Sequence, residues 1–100
     1  MPALNQRDAI HYIATRQEFK ASALTGSNYG NGAGRLSGAD LDRFYQDVKG
    51  LSYAVYSYGT PIYWVSNGET YLVEQKFSVT TSKHQNYVRR AIAESLQGVN

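Results

Sequence analysis

The chain contains no cysteine. Disulfides and thiolate–metal sites are thereby excluded, and a reducing compartment is the simpler setting. Proline is scarce, with two residues in 100, and no apolar stretch exceeds a few residues. No segment is therefore long enough to cross a bilayer as a helix. Met1 to Arg7 lack the charged and apolar regions of a signal peptide, so the cytoplasm of whatever cell makes the chain is the expected location. Only two histidines occur, His11 and His84, with no HExxH spacing. A zinc site would need carboxylates at every remaining position, so no metal and no cofactor is expected. Charge is sparse as well: 18% of residues are charged and the formal net charge is +2. That balance tolerates phosphate contacts, but dedicated DNA-binding domains are usually more basic and more clustered.

What the chain does have is tyrosine, nine of them. Tyr53, Tyr56, Tyr58, Tyr63 and Tyr71 crowd around Trp64 in one short stretch. With 42% hydrophobic residues the composition is that of a globular chain, and 100 residues suit one domain.

Local patterns give an α+β fold, three helices packed with an antiparallel β-meander of three strands, or four if Phe19–Leu24 joins, in the order α-(β)-α-β-β-β-α. Residues 5 to 18 are predicted to be helical, started by Asn5 and Asp8 and carrying Ala9, Ile10, Ile13, Ala14 and Gln17 at helical spacing. Residues 25 to 36, with four of the nine glycines, are predicted to be a flexible surface loop. Ser37 is the predicted N-cap of a second helix, with Asp40 and Asp42 in its first turn. Leu41, Phe44, Tyr45 and Val48 form its buried stripe, and Lys49 and Gly50 close it. Strands are predicted at Leu51–Tyr58, Ile62–Ser66 and Glu69–Lys76. The first turn lies at Gly59-Thr60-Pro61, and Asn67-Gly68 makes a type I′ hairpin turn. The last helix follows Ser82, whose capping box is closed by Gln85. Val88, Ile92 and Leu96 form its stripe and Gly98 ends it.

The short hairpin around Asn67-Gly68 sets Ser66 opposite Glu69, Trp64 opposite Tyr71 and Ile62 opposite Val73. One face then holds Ile62, Trp64, Tyr71 and Val73; the other holds Tyr63, Val65, Thr70 and Leu72. A sheet with one wet face alternates apolar and polar residues, and this one does not. Either helices cover both faces, or one face is open to a partner.

The glycine-rich loop fits neither GxxxxGK[ST] nor GxGxxG. Arg35 at its end can still meet a phosphate or a carboxylate. Ser78, Thr80, Thr81 and Ser82 lie beside His84, supplying hydroxyls and a base. A hydroxyl-rich turn before a helix is ordinarily cap chemistry, and no carboxylate nearby orients the histidine, so no enzyme is expected. Asp40, Asp42 and Asp47 look like a solvated helix surface. Lys83, Arg89 and Arg90 on the last helix, with Arg7, Arg16 and Lys20 near the first and Arg35 on the loop, make one basic patch if the terminal helices lie side by side.

The stretch Ser57-Tyr-Gly-Thr-Pro-Ile-Tyr-Trp64, followed by Phe77-Ser-Val-Thr-Thr-Ser-Lys-His-Gln85, resembles a motif pair, SYxTPIAW and YSxTTxxHQ. The pair belongs to a domain-of-unknown-function family of small proteins from actinobacterial bacteriophages. Tyr63 stands where that pattern has a small residue, and Phe77 where it has tyrosine. The resemblance implies a virus-encoded accessory protein acting inside a bacterial host, and it implies no chemistry. The expected function is a binding module contacting nucleic acid or a nucleic-acid-handling complex, through Arg35, Tyr56, Tyr58, Tyr63, Lys83, His84, Arg89 and Arg90. The alternative is a protein-interaction module that engages a host or phage protein, or self-assembles through a strand edge.

Overall fold

Two tight turns with positive φ at both central residues build the centre of the molecule: Tyr58-Gly59 (52° and 79°) and Asn67-Gly68 (51° and 81°). Both have the twist that joins antiparallel strands without splaying them. The computed structural model describes residues 6–97, and the side chains of 8–95. The elements are α1 (Gln6–Ala14), β1 (Phe19–Ala21), β2 (Leu24–Ser27), α2 (Gly38–Asp47) with a 3-10 turn at Val48–Gly50, β3 (Leu51–Ser57), β4 (Thr60–Ser66), β5 (Glu69–Leu72) and α3 (Val79–Gln97). The strands form one antiparallel sheet in the order β1-β2-β3-β4-β5. The class is α+β, with five strands rather than three or four.

The extra strand comes from the segment predicted as loop. Phe19 to Ser27 is a hairpin, and β2 pairs along β3 from Leu24↔Ser57 to Ser27↔Ala54. Gly26 is there for packing. A Cβ on it would collide with the Phe19 ring and the Tyr53 hydroxyl. The rest of the loop is also tied down: Asn31 N–H donates to the Tyr56 hydroxyl (2.6 Å) and Arg35 N–H to Thr60 Oγ1 (3.0 Å).

Both sheet faces are covered. α1 and α3 pack against each other over Phe19, Leu24, Tyr53, Val55, Ile62, Tyr63 and Val65. α2 and its flanking segments cover Ala54, Tyr56, Trp64 and Val73. The predicted pairing holds at Ser66↔Glu69 and Trp64↔Tyr71. The predicted faces need one correction. Val55 pairs with Tyr63 but Tyr56 with Pro61, so Ile62 is the extra residue of a bulge. It therefore joins Tyr63 and Val65 on the α1–α3 face instead of facing the other way with Trp64. Pro61, which has no N–H to donate, sits where the ladder is already interrupted.

Element ends differ from expectation for local reasons. α1 stops at Ala14, because Arg16 is left-handed (φ 54°) and Gln17 N–H bonds back to Tyr12 (2.8 Å). β5 ends at Leu72, because Gln85 Nε2 donates to the carbonyls of Val73 and Gln75 and draws the chain off the sheet. Gln85 is therefore no capping-box partner. α3 begins earlier, at Val79, and its cap is Ser78, whose Oγ accepts from Thr81 N–H (3.1 Å). Ser37 occupies the N-cap position of α2 without capping it; its Oγ accepts from Gln75 instead. Tyr45 lies off the buried stripe and is 62% exposed. The predicted roles of Asn5, Leu96 and Gly98 lie outside the described residues.

Two of the three acids of α2 are structural. Asp47 accepts from Trp64 Nε1 (2.8 Å) and from Arg43 Nε (2.8 Å). Asp40 accepts from the Tyr71 hydroxyl (2.5 Å), which holds that phenol above its usual range. Trp64 stacks on Tyr71 (4.9 Å between centroids) and meets the edge of Phe44 (5.1 Å). Each such ring pair adds about 0.5–1.5 kcal/mol beyond burial. Removing the carboxylate strands the fully buried indole N–H. Asp47→Ala is therefore expected to cost about 1–3 kcal/mol in a urea titration. A cost near zero would show that the indole bond does not hold α2 on the sheet.

Candidate functional site

One tyrosine of the aromatic hairpin is largely open to solvent, while Tyr71 is half-buried and the others are core. Tyr58 is 64% exposed, because it occupies the β3–β4 turn beyond the reach of the covering helices. Beside it lies a cleft of about 360 Å³ lined by Arg35, Ser57, Tyr58, Thr60, Phe77, Ser78, Thr80 and Thr81. Three elements meet there: the end of the 28–37 segment, the β3–β4 turn and the first turn of α3.

The walls are joined by a buried hydroxyl–imidazole knot. Ser57 Oγ lies 2.7 Å from His84 Nδ1 and 3.1 Å from Thr81 Oγ1. Ser78 Oγ donates to Thr81 Oγ1 (3.1 Å). Ser57 and His84 are almost fully buried. The imidazole is stacked between Tyr58 (6.1 Å) and Tyr87 (6.3 Å), with ring planes within 30° of parallel. Burial, with Lys83 adjacent, pushes its pKa below the ordinary 6.5. His84 is therefore neutral at pH 7.

The third wall depends on Gly34. Its φ is +55°, and a Cβ there would lie 2.6 Å from Thr60 Cα. The absence of a side chain lets the loop press against the β3–β4 turn and sets Arg35 at the cleft. Among the described residues, neither the Arg35 guanidinium nor the Thr80 hydroxyl has a protein partner. A cation, a spare hydroxyl and an exposed ring thus share one concavity.

The other sequence candidates are dispersed. Tyr56 and Tyr63 are each 4% exposed and belong to the two cores, which removes them from any partner-facing surface. Burial raises the pKa of the Tyr63 phenol, and the nearby Arg16 charge partly offsets it. His84 is interior rather than at the surface. Arg89 is held by Glu74 (3.2 Å) and Asn86 (2.9 Å). Lys83 and Arg90 are exposed on α3. α1 and α3 do lie side by side, but Arg89 is engaged with protein groups and Arg16 lies by Tyr63 and the 91–95 stretch of α3, away from Arg35; the Arg7 side chain lies outside the described residues. Ser57, Thr60 and Phe77 escaped attention as lining residues. The signal was the pair of stretches 57–64 and 77–85, which supply every lining residue except Arg35.

Among the described residues, no three His, Asp or Glu side chains converge as a metal site. No helix among them is long and apolar enough to cross a membrane.

A five-stranded antiparallel meander with two helices on one face and one on the other defines a small α+β domain with a polar cleft at the β3–β4 turn. The chain belongs to a family of unknown function, DUF8033, whose model matches residues 10–95. No curated protein and no solved structure matches it.

Two outcomes follow from the geometry. The folded state resists protonating His84 while the unfolded chain titrates at the ordinary value. Stability is therefore full above pH 6.5 and falls as the pH drops below it, until His84's own lower pKa in the fold is passed. The slope reaches at most about 1.4 kcal/mol per pH unit. Urea titrations at stepped pH check this; a His84→Gln variant with an unchanged slope would refute it. Gly34→Ala is expected to cost about 1–3 kcal/mol, since it combines a left-handed backbone with a clash at Thr60. Wild-type stability in that variant would show that the loop does not press on the turn.

Proposed function

We propose that this chain is a non-enzymatic binding module, a small phage accessory protein acting in the bacterial host cytoplasm. We further propose that its cleft takes a nucleotide unit of single-stranded nucleic acid. The observation that carries this reading is the pairing of the uncompensated Arg35 with the exposed Tyr58 ring across one cleft. Phosphate suits the guanidinium, and a base suits the ring, since stacking tolerates any base. The Thr80 hydroxyl supplies a neutral contact to sugar or phosphate. The volume lies at the lower end of the roughly 300–1,000 Å³ seen for ligand sites.

Binding rather than turnover is favoured by the state of Ser57. The residue is 1% exposed and its hydroxyl is shared between Thr81 and His84, an arrangement that joins strand to helix. The phage origin and the host setting rest on the motif resemblance alone.

Anisotropy with a labelled thymine decamer at low and high salt tests the reading. Binding should weaken as salt rises. Tyr58→Ala and Arg35→Ala should each weaken it about tenfold, the effect of losing one stacked base or one phosphate contact. No binding by the wild-type protein at low salt would end the reading.

A second reading, a protein-interaction module, is favoured by Tyr29 and Tyr45, which are 73% and 62% exposed and do not line the cleft. Light scattering addresses self-assembly through either ring. If it operates, Tyr45→Ser should return a dimer to the monomer mass.

A further inference from the structure

We infer that a second site, separate from the cleft, binds a carboxylate carried on a short aliphatic chain. The site is a niche of about 140 Å³ on the α1–α3 side of the sheet. It shares no lining residue with the cleft, so it stands or falls apart from the nucleotide reading. Its floor is apolar, made of Ile13 from α1 with Ala91 and Ile92 from α3. Its polar residues are Arg16, Tyr63, Thr70 and Ser95. The fold accounts for their meeting. Thr70 pairs with Val65 and so shares the face of Tyr63 and Val65. Ser95 stands three and four residues after Ile92 and Ala91, on the same side of α3. Arg16 follows directly on the end of α1.

All four polar side chains can donate a hydrogen bond, and no carboxylate lines the niche. Burial keeps the Tyr63 phenol protonated, and the Arg16 charge lies close to it. Among the described residues Arg16 has no ion pair, and the Thr70 and Ser95 hydroxyls bond no protein group. The acids within two positions of a lining residue are turned elsewhere. Glu18 accepts from Asn28 N–H (3.0 Å), Glu69 lies 3.7 Å from Arg43, and Glu94 lies 3.9 Å from His11. The backbone of Arg16 adds a second observation. Its φ of 54° just past a helix end suits glycine or asparagine, and arginine holds it at a cost. A cation there also meets the helix dipole, but lysine would do that equally well. What arginine alone supplies is a planar fork, which matches the two oxygens of a carboxylate. The volume equals roughly five waters at about 30 Å³ each, enough for a carboxylate with two or three carbons behind it. A phosphate would satisfy the guanidinium and leave the apolar floor uncovered.

The test is titration of butyrate into the full chain, followed by amide NMR shifts. Saturable shifts should centre on residues 13–16, 63, 70 and 91–95, with a Kd on the order of millimolar for so small a ligand. Butyramide, which has the same shape without the charge, should bind at least about tenfold more weakly. Inorganic phosphate should also bind more weakly than butyrate. Arg16→Lys should lose about tenfold in affinity with an unchanged Tm, which separates the fork from the helix-end charge. A free acid and the acidic side chain of a polypeptide offer the same group, so glutamate blocked at its α-amino and α-carboxyl groups is titrated alongside. Tighter binding of butyrate assigns the niche to a free acid, and tighter binding of blocked glutamate assigns it to a polypeptide side chain; either result upholds the site. Shifts that do not saturate overturn it. Butyramide or phosphate binding as tightly as butyrate overturns it as well, as does wild-type affinity in Arg16→Lys.

Discussion

The short hydrogen bond between Ser57 and His84 is the constraint on which the cleft depends. It connects the last residue of β3 to the second turn of α3, elements separated by 27 positions in the chain. Each partner is a polar group in an apolar interior, so each needs the other. Thr81 and Ser78 extend the bond into a chain of hydroxyls that ends at the cap of α3. The same residues that start the helix therefore also fix its distance from the sheet. Because the imidazole must stay uncharged, the geometry of this junction is conditional on proton concentration in a way the rest of the core is not.

On the other face, α2 is held by a polar seam of similar construction. Asp47 serves Trp64 and Arg43 together, Arg43 also lies over the Tyr71 ring (4.9 Å), and the Asp47 carbonyl accepts from Ser66. The aromatic crowding of the sequence is thus mostly accounted for by packing: helices cover both sides of the sheet, and the buried phenols find partners. Tyr53 donates to the Gln17 carbonyl (2.8 Å), and Tyr56 accepts from Asn31.

What the sequence made legible was local. The Asn67-Gly68 turn, the Leu41–Phe44–Val48 stripe and the three central strands follow from residue type and spacing over a few positions. What it hid was non-local. Thr25-Gly26-Ser27 reads as loop, because the reason for Gly26 is a Phe19 ring across the hairpin and a Tyr53 hydroxyl in another strand. Asp40 and Asp47 read as solvated because their donors, Tyr71 and Trp64, lie 31 and 17 positions away. Ser78 lost the cap to Ser82 in the sequence because both stand before a helical pattern. The candidate site was half legible: Arg35 and Tyr58 were singled out and do share a cleft, whereas Tyr56 and Tyr63 were singled out for their type and proved to be core. Exposure depends on which helix lies overhead, and periodicity does not carry that.

The β3–β4 turn has one oddity. Its geometry calls for asparagine or glycine at the first central position, as its counterpart at Asn67 supplies. Tyrosine stands there instead at φ 52°, a conformation that costs a residue with a bulky side chain on the order of 1 kcal/mol or more. Asparagine at 58 would make a firmer hairpin and leave His84 without the ring that shields it from water. The tip of this hairpin is thus a place where foldability has been traded for an aromatic surface. An evolved or designed stabilisation of the domain would be drawn first to that residue, and would blunt the cleft in doing so.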